Sequence, residues 1–172
     1  MKMIYYFLDY DPKTCTEFDI SGPEYKKLID VCFEYCDHFT LLFKNKNAPC
    51  TIKPYKTEVR KPDDICGFYT SEYFERRFFK CTDEAKLFML KLTKSLFDLV
   101  NDGTEKCIPE DPIFYRNNGT AFFWSMTHEG ICVLSATGAE DVSSIISVKG
   151  WKSYDPQTEG PKAIIPKYFY IQ

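Results

Sequence analysis

The sequence predicts a single α+β domain over residues 1–172, an antiparallel sheet of about six to eight strands with two main helices packed on one face. Three observations lead there. Residues 109–134 hold three apolar runs split by Asn117-Asn118-Gly119 and by His128-Glu129-Gly130. Asn and Gly tolerate the positive φ that tight hairpin turns need, so this stretch is a three-stranded meander. Two stretches, 21–39 and 82–103, carry apolar residues at helical spacing behind a helix-start signal. The length of 172 residues is near the common domain size and is enough to bury one core.

Residues 3–8 form a first strand, ended by Asp9-Tyr10-Asp11-Pro12, and Cys15 to Phe18 is a second short extended piece. Ser21 then caps a helix, with Pro23 in its first turn and Glu24 three residues on, as in a capping box. Tyr25, Leu28, Ile29, Cys32, Cys36 and Phe39 follow along one helical face. Thr40 to Lys44 is a strand and Lys46-Asn47 a turn. Residues 50–59 alternate loosely around Pro54, which cannot donate to a ladder, so they form an edge strand or an irregular excursion guarded by lysines. A turn at 62–66 leads into two more strands, Gly67–Ser71 and Tyr73–Cys81.

The second helix is capped by Thr82, with Asp83 and Glu84 at the positive end of its dipole. Its stripe of Ala85, Phe88, Met89, Leu92, Leu96, Leu99 and Val100 runs on to a stop at Gly103. After the meander, Thr137-Gly138 is a turn and Ala139–Val148 a short helix with Ile145 and Ile146 inward. Trp151 to Pro161 is polar and turn-rich, and residues 163–171 are a last strand or a segment that docks on a partner.

Composition narrows the function classes. Hydrophobic content of 44% and charged content of 27% are those of a globular protein. Aromatic content is high at 17%, which suits an interaction surface but is equally the mark of an AT-rich genome. A net charge of −3 gives no reason to expect a nucleic-acid partner. The charge is unevenly spread. Lys44, Lys46, Lys53, Lys56, Arg60 and Lys61 stand against Glu58, while Asp98, Asp102, Glu105, Glu110 and Asp111 stand against Lys106. Such segments are solvated loops or an electrostatically steered partner surface. No apolar run approaches the roughly 20 residues of a membrane span, and Asp9 cuts the first one too early for an export signal, so the cytoplasm is expected. In that reducing setting the eight cysteines, none in a C-x-x-C pair, should be free thiols packed as small hydrophobes.

Chemistry is sparse. His128-Glu129 with Cys132 is the one constellation that could be catalytic, because a Cys–His pair can activate a thiolate. The setting Ile131-Cys132-Val133-Leu134 argues for burial of that thiol, and His128 for a structural role across the turn. The helical zinc-protease motif is excluded, since position 132 is Cys where a second His is needed. Glu110 and Asp111 are adjacent and in extended chain would point to opposite faces. Neither dinucleotide nor phosphate-binding glycine loops occur. No metal or cofactor is expected.

The run Pro109-Glu110-Asp111, then Phe114-Tyr115-Arg116, then Phe122-Phe123, then Thr127-His128-Glu129-Gly130, resembles a pattern in small bacterial proteins. Some of these look like immunity proteins of polymorphic or contact-dependent toxin systems. The resemblance is confined to residues 109–134. It implies a small, cytoplasmic, non-enzymatic α+β domain that blocks a toxin domain by surface complementarity. The expected function is therefore a protein-binding module whose partner has a basic surface. Glu110, Asp111, Glu129, Glu140 and Asp141 are the candidate contacts, taken to flank one end of the meander. The alternatives are a small enzyme using His128 with Cys132 or a nearby carboxylate such as Glu129, and a regulatory or scaffold protein.

Overall fold

The structure is a computed structural model that describes residues 3–8, 10, 11, 16–44, 48, 50–60, 74–100, 108–155 and 158. Along the chain these form β1 (Met3–Leu8), β2 (Tyr10–Asp11), β3 (Thr16–Glu17), α1 (Pro23–Tyr35), β4 (His38–Phe43), β5 (Lys56–Arg60) and β6 (Phe74–Lys80). There follow α2 (Asp83–Leu92), β7 (Glu110–Tyr115), β8 (Ala121–Met126), β9 (Ile131–Thr137), α3 (Ser143–Ile146) and β10 (Trp151–Tyr154). Eight strands make one antiparallel sheet in the order β10-β1-β9-β8-β7-β4-β6-β5, while β2 and β3 pair apart from it. The α+β class is as expected. The meander occupies the middle of the sheet, with β4 on one side and β1 on the other.

One row of side chains crosses the sheet at matched register. Phe79 on β6 sits opposite Phe39 on β4, Phe39 opposite Phe114 on β7, and Phe114 opposite Phe123 on β8. Leu134 on β9 and Tyr6 on β1 continue the row. Phe39 stacks on Phe79 at 5.1 Å and on Phe114 at 5.4 Å between ring centroids. From above, Phe33 of α1 lies 5.6 Å from both Phe39 and Phe114. Tyr25, Leu28, Ile29 and Cys32 of α1 and Ala85 and Met89 of α2 are buried in the same core. On the other face Trp124, Val133 and Tyr154 form a smaller cluster with Tyr5 and Phe7. The central strands are thus buried on both sides, which is why β8 and β9 show no in–out alternation.

Several expectations need correcting. The second helix stops at Leu92, well short of Gly103, because Thr93 turns extended and its hydroxyl exchanges hydrogen bonds with the backbone of Ser95. Short hydroxyl side chains compete with the helical ladder in this way. Residues 94–96 instead bond to 20–22: Gly22 N–H donates to Lys94 O and Leu96 N–H to Ile20 O. Leu96 and Leu99 are still buried, but from a loop. That pairing also takes Ser21, so the capping box does not form and Gly22, at φ 56°, is the N-cap of α1. The first helix ends at Tyr35, and Cys36 and Phe39 reach the core from beyond it. Residues 151–154, expected as part of a polar, turn-rich stretch, add the strand β10 beside β1.

Other expectations hold. Thr82 caps α2 by accepting from Ala85 N–H, and β5 is an edge strand that pairs with β6 alone among the described residues. The strand expected at 67–71, the helix stop at 103 and the segment 163–171 lie outside the described residues, as do Cys15, Cys66 and Cys107. Of the described cysteines all are free thiols, and Cys32, Cys36 and Cys132 are buried.

Phe39 is fully buried at the centre of the row. Truncation there removes three ring contacts and leaves a cavity, so Phe39→Ala should lose about 3–5 kcal/mol of stability, read by urea denaturation. A loss near zero would mean the row is not the core's centre.

Candidate functional site

Two neighbouring strand residues normally face opposite ways. Glu110 and Asp111 do not. Asp111 has φ 50°, and β4 pairs with β7 through Thr40↔Ile113 and then Leu42↔Glu110, so β7 carries one extra residue. A bulge of this kind re-aims side chains. Both carboxylates come to one place, correcting the expectation that they diverge.

His128 is brought to that place by the next turn. Thr127–Glu129 is a single 3-10 turn between β8 and β9, closed by Gly130 in the left-handed region at φ 63°. Thr127 fastens the turn to the bulge: its N–H donates to Asp111 Oδ1 at 2.8 Å, and its hydroxyl accepts from Asp111 N–H at 3.3 Å while donating to Leu99 O. His128 Nδ1 then stands 3.7 Å from Asp111 Oδ1 and 4.0 Å from Glu110 Oε2, and Nε2 stands 3.5 Å from Glu129 Oε1. One donor atom each from Glu110, Asp111 and His128 lie within 4.8 Å of one another.

The electrostatics are tightly held. Glu110 is 0% exposed and its Oε1 pairs with Lys44 Nζ at 2.7 Å. One residue from each of the two oppositely charged stretches, Lys44 and Glu110, therefore meet inside the fold. Arg76 Nη1 donates to Asp111 O and to Thr40 Oγ1. Burial alone would raise the Asp111 carboxyl, but His128, Arg76 and the Thr127 N–H together hold it below its usual value. The Asp111 carboxylate, outweighing partial burial, holds the His128 imidazole above its ordinary value.

The remaining candidates fall elsewhere. Cys132 is 0% exposed in the core under the helices, and burial pushes its thiol well above the ordinary range. The ring nitrogens of His128 face carboxylates instead. Glu140 is locked to Arg116 by a two-pronged pair, Oε1 to Nε at 2.6 Å and Oε2 to Nη2 at 2.9 Å, and it also accepts from Thr137 N–H. Arg116 in turn donates to Ser135 O and Ala121 O and lies over the Phe122 ring. Asp141 is exposed and accepts from Ser143 N–H.

The five acidic candidates thus do not share one end of the meander. Glu110, Asp111 and Glu129 lie where β9 begins, and Glu140 and Asp141 follow where it ends. A strand of that length separates them by on the order of 20 Å. Only Glu129 and Asp141 are exposed. The clustering of Glu110 and Asp111 with His128 was not visible in the sequence, whose one relevant signal was Asp-Pro at a strand start. No family model, no curated protein and no solved structure matches the chain.

Burial tends to raise the Glu140 carboxyl, but the bonds from Arg116 and Thr137 lower it below the ordinary value. A depressed folded-state pKa contributes stability above the unfolded value of about 4.3 that fades as pH falls and the carboxylate protonates. Glu140→Gln should therefore be less stable than the parent by about 1–3 kcal/mol at pH 7, because Arg116 loses its partner. The difference should shrink at pH 3, as measured by urea denaturation at both values.

Proposed function

We propose that the chain is a non-catalytic protein-binding module, an immunity-type protein that binds and neutralises a cognate toxin domain. What supports a binder over an enzyme is how the reactive groups are spent on the fold itself. The one thiol that could pair with His128 is sealed in the core, with its pKa pushed up. A thiolate nucleophile needs both access and a lowered pKa. Three carboxylates with no more than 11% of their side chain exposed to water are held by a cation of the same chain: Glu110 by Lys44, Glu75 by Arg77, and Glu140 by Arg116. None of the described helices is long and apolar enough to cross a membrane. The resemblance of residues 109–134 to immunity proteins names the class of partner.

Glu129 and Asp141 are the acidic candidates with exposed side chains, so they would steer a partner with a basic surface. Glu110, Asp111 and Glu140 would act beneath the surface, holding the turns that present them. Replacing Glu129 and Asp141 together with Ala should slow association at low salt and flatten its salt dependence. Unchanged kinetics would remove both from the contact surface.

The role itself is tested by growth. Cells making a candidate toxin-type domain should survive when the chain is co-expressed with its cognate toxin, and the two should co-elute as a stoichiometric complex. Absence of both rescue and complex would sink the proposal, as would turnover by the purified chain that disappears in His128→Ala.

A further inference from the structure

We infer that the β5 edge of the sheet docks a second copy of this chain, the two strands pairing antiparallel about a two-fold axis at Thr57. Exposure is the first ground. β5 ends the sheet order and pairs with β6 alone among the described residues. A strand so placed presents backbone donors and acceptors on its outer side. Val59 in this strand is 69% exposed, more than any other large apolar residue described, and Tyr55 just before it is 41% exposed.

The charge pattern names the occupant. Edges are commonly guarded by lysine, whose charge an incoming strand would have to accommodate. In Lys56-Thr57-Glu58-Val59-Arg60 the guard comes with its own complement. Two copies related by a two-fold axis must pair about a single residue, because side chains opposite one another lie on one face. Centred on Lys56 or on Glu58, the pairing would set like charges face to face. Centred on Thr57, it sets Lys56 opposite the partner's Glu58, and Glu58 opposite the partner's Lys56. Opposite charges directly across a strand pair stabilise it and like charges destabilise it.

Lys56 Nζ and Glu58 Oε1 stand 2.8 Å apart within one copy, with 45% and 27% of their side chains exposed. The partner's pair therefore completes a cluster of four alternating charges. A centre at Val59 would match Glu58 with the partner's Arg60. Only the Thr57 centre also brings Val59 level with the partner's Tyr55, so that the two exposed apolar residues of this edge are covered together. The opposite edge of the sheet, β10, has Lys152 and no acidic residue within the strand, so pairing with itself offers that lysine no opposite charge. A strand of five residues spans about 17 Å, so the interface is small and the dimer weak.

The test is sedimentation of the reduced full chain at low salt, from about 1 μM to 1 mM. Monomer should pass into dimer and go no further, and hydrogen exchange at the upper concentration should protect amides of β5 and not of β10. Lys56→Glu or Glu58→Lys alone should weaken the dimer at least tenfold, with an unchanged circular dichroism spectrum. Both changes in one chain should restore it, since the exchanged charges still meet across the axis. About a Val59 centre the double variant would stay monomeric, because Glu58→Lys would face the partner's Arg60. A parent monomeric throughout, a dimer indifferent to both single reversals, a double variant that stays monomeric, or protection confined to another element would each overturn the assignment. Protection of β5 only when a different protein is added would give the edge to a foreign strand and overturn it too. These readouts use the chain by itself and are independent of whether it neutralises a toxin.

Discussion

The stack of rings through Phe39 is the constraint from which the rest of this structure follows. Phe79, Phe39, Phe114 and Phe123 can meet only if β6, β4, β7 and β8 adopt one register. A slip of a single residue on any of them would turn its ring to the opposite face. Helix α1 is fixed by the same stack, since Phe33 rests on two of its members. Because the row sets β4 and β7 side by side at Phe39 and Phe114, the extra residue of β7 is forced out beyond it, between Ile113 and Glu110.

That displaced residue is Asp111, and its position is costly. A non-glycine residue in the left-handed region is strained, by roughly 1 kcal/mol or more. The surroundings hold it there: Arg76 binds its carbonyl, Thr127 binds its side chain and its amide, and Glu110 beside it is anchored by Lys44. The acidic cluster is thus a by-product of sheet register that the side chains around it have made rigid. Rigidity of this order suits a surface that must keep one shape.

How much of this was legible depends on the range of the signal. The meander could be read from Asn117-Asn118-Gly119 and Gly130 because turn chemistry is local. The cap of α2 was legible in Thr82 for the same reason. The early end of α2 was not, because apolar Leu96 and Leu99 kept helical spacing while Thr93 was bonded to Ser95 and Ser95 was engaged with residues some 75 positions earlier. Nor was the convergence of Glu110, Asp111 and His128, which needs a bulge set by pairing with a strand about 70 residues upstream. Opposite charge along the chain was misleading in one respect. Lys44 and Glu110 belong to oppositely charged segments, yet the pair they form lies inside the fold.

The place of β1 in the sheet has a consequence for how the chain is made. Its apolar sequence Met-Ile-Tyr-Tyr-Phe-Leu is flanked on one side by β9 and on the other by β10. Both partners are synthesised last among the described strands. At ribosomal speeds of about 5–20 residues per second, β1 waits roughly 6–26 s for the end of β9. During that interval six residues of high β-propensity have no sheet to join. The chain must therefore fold around a late, long-range closure, of the kind that slows folding and invites mispairing with another copy.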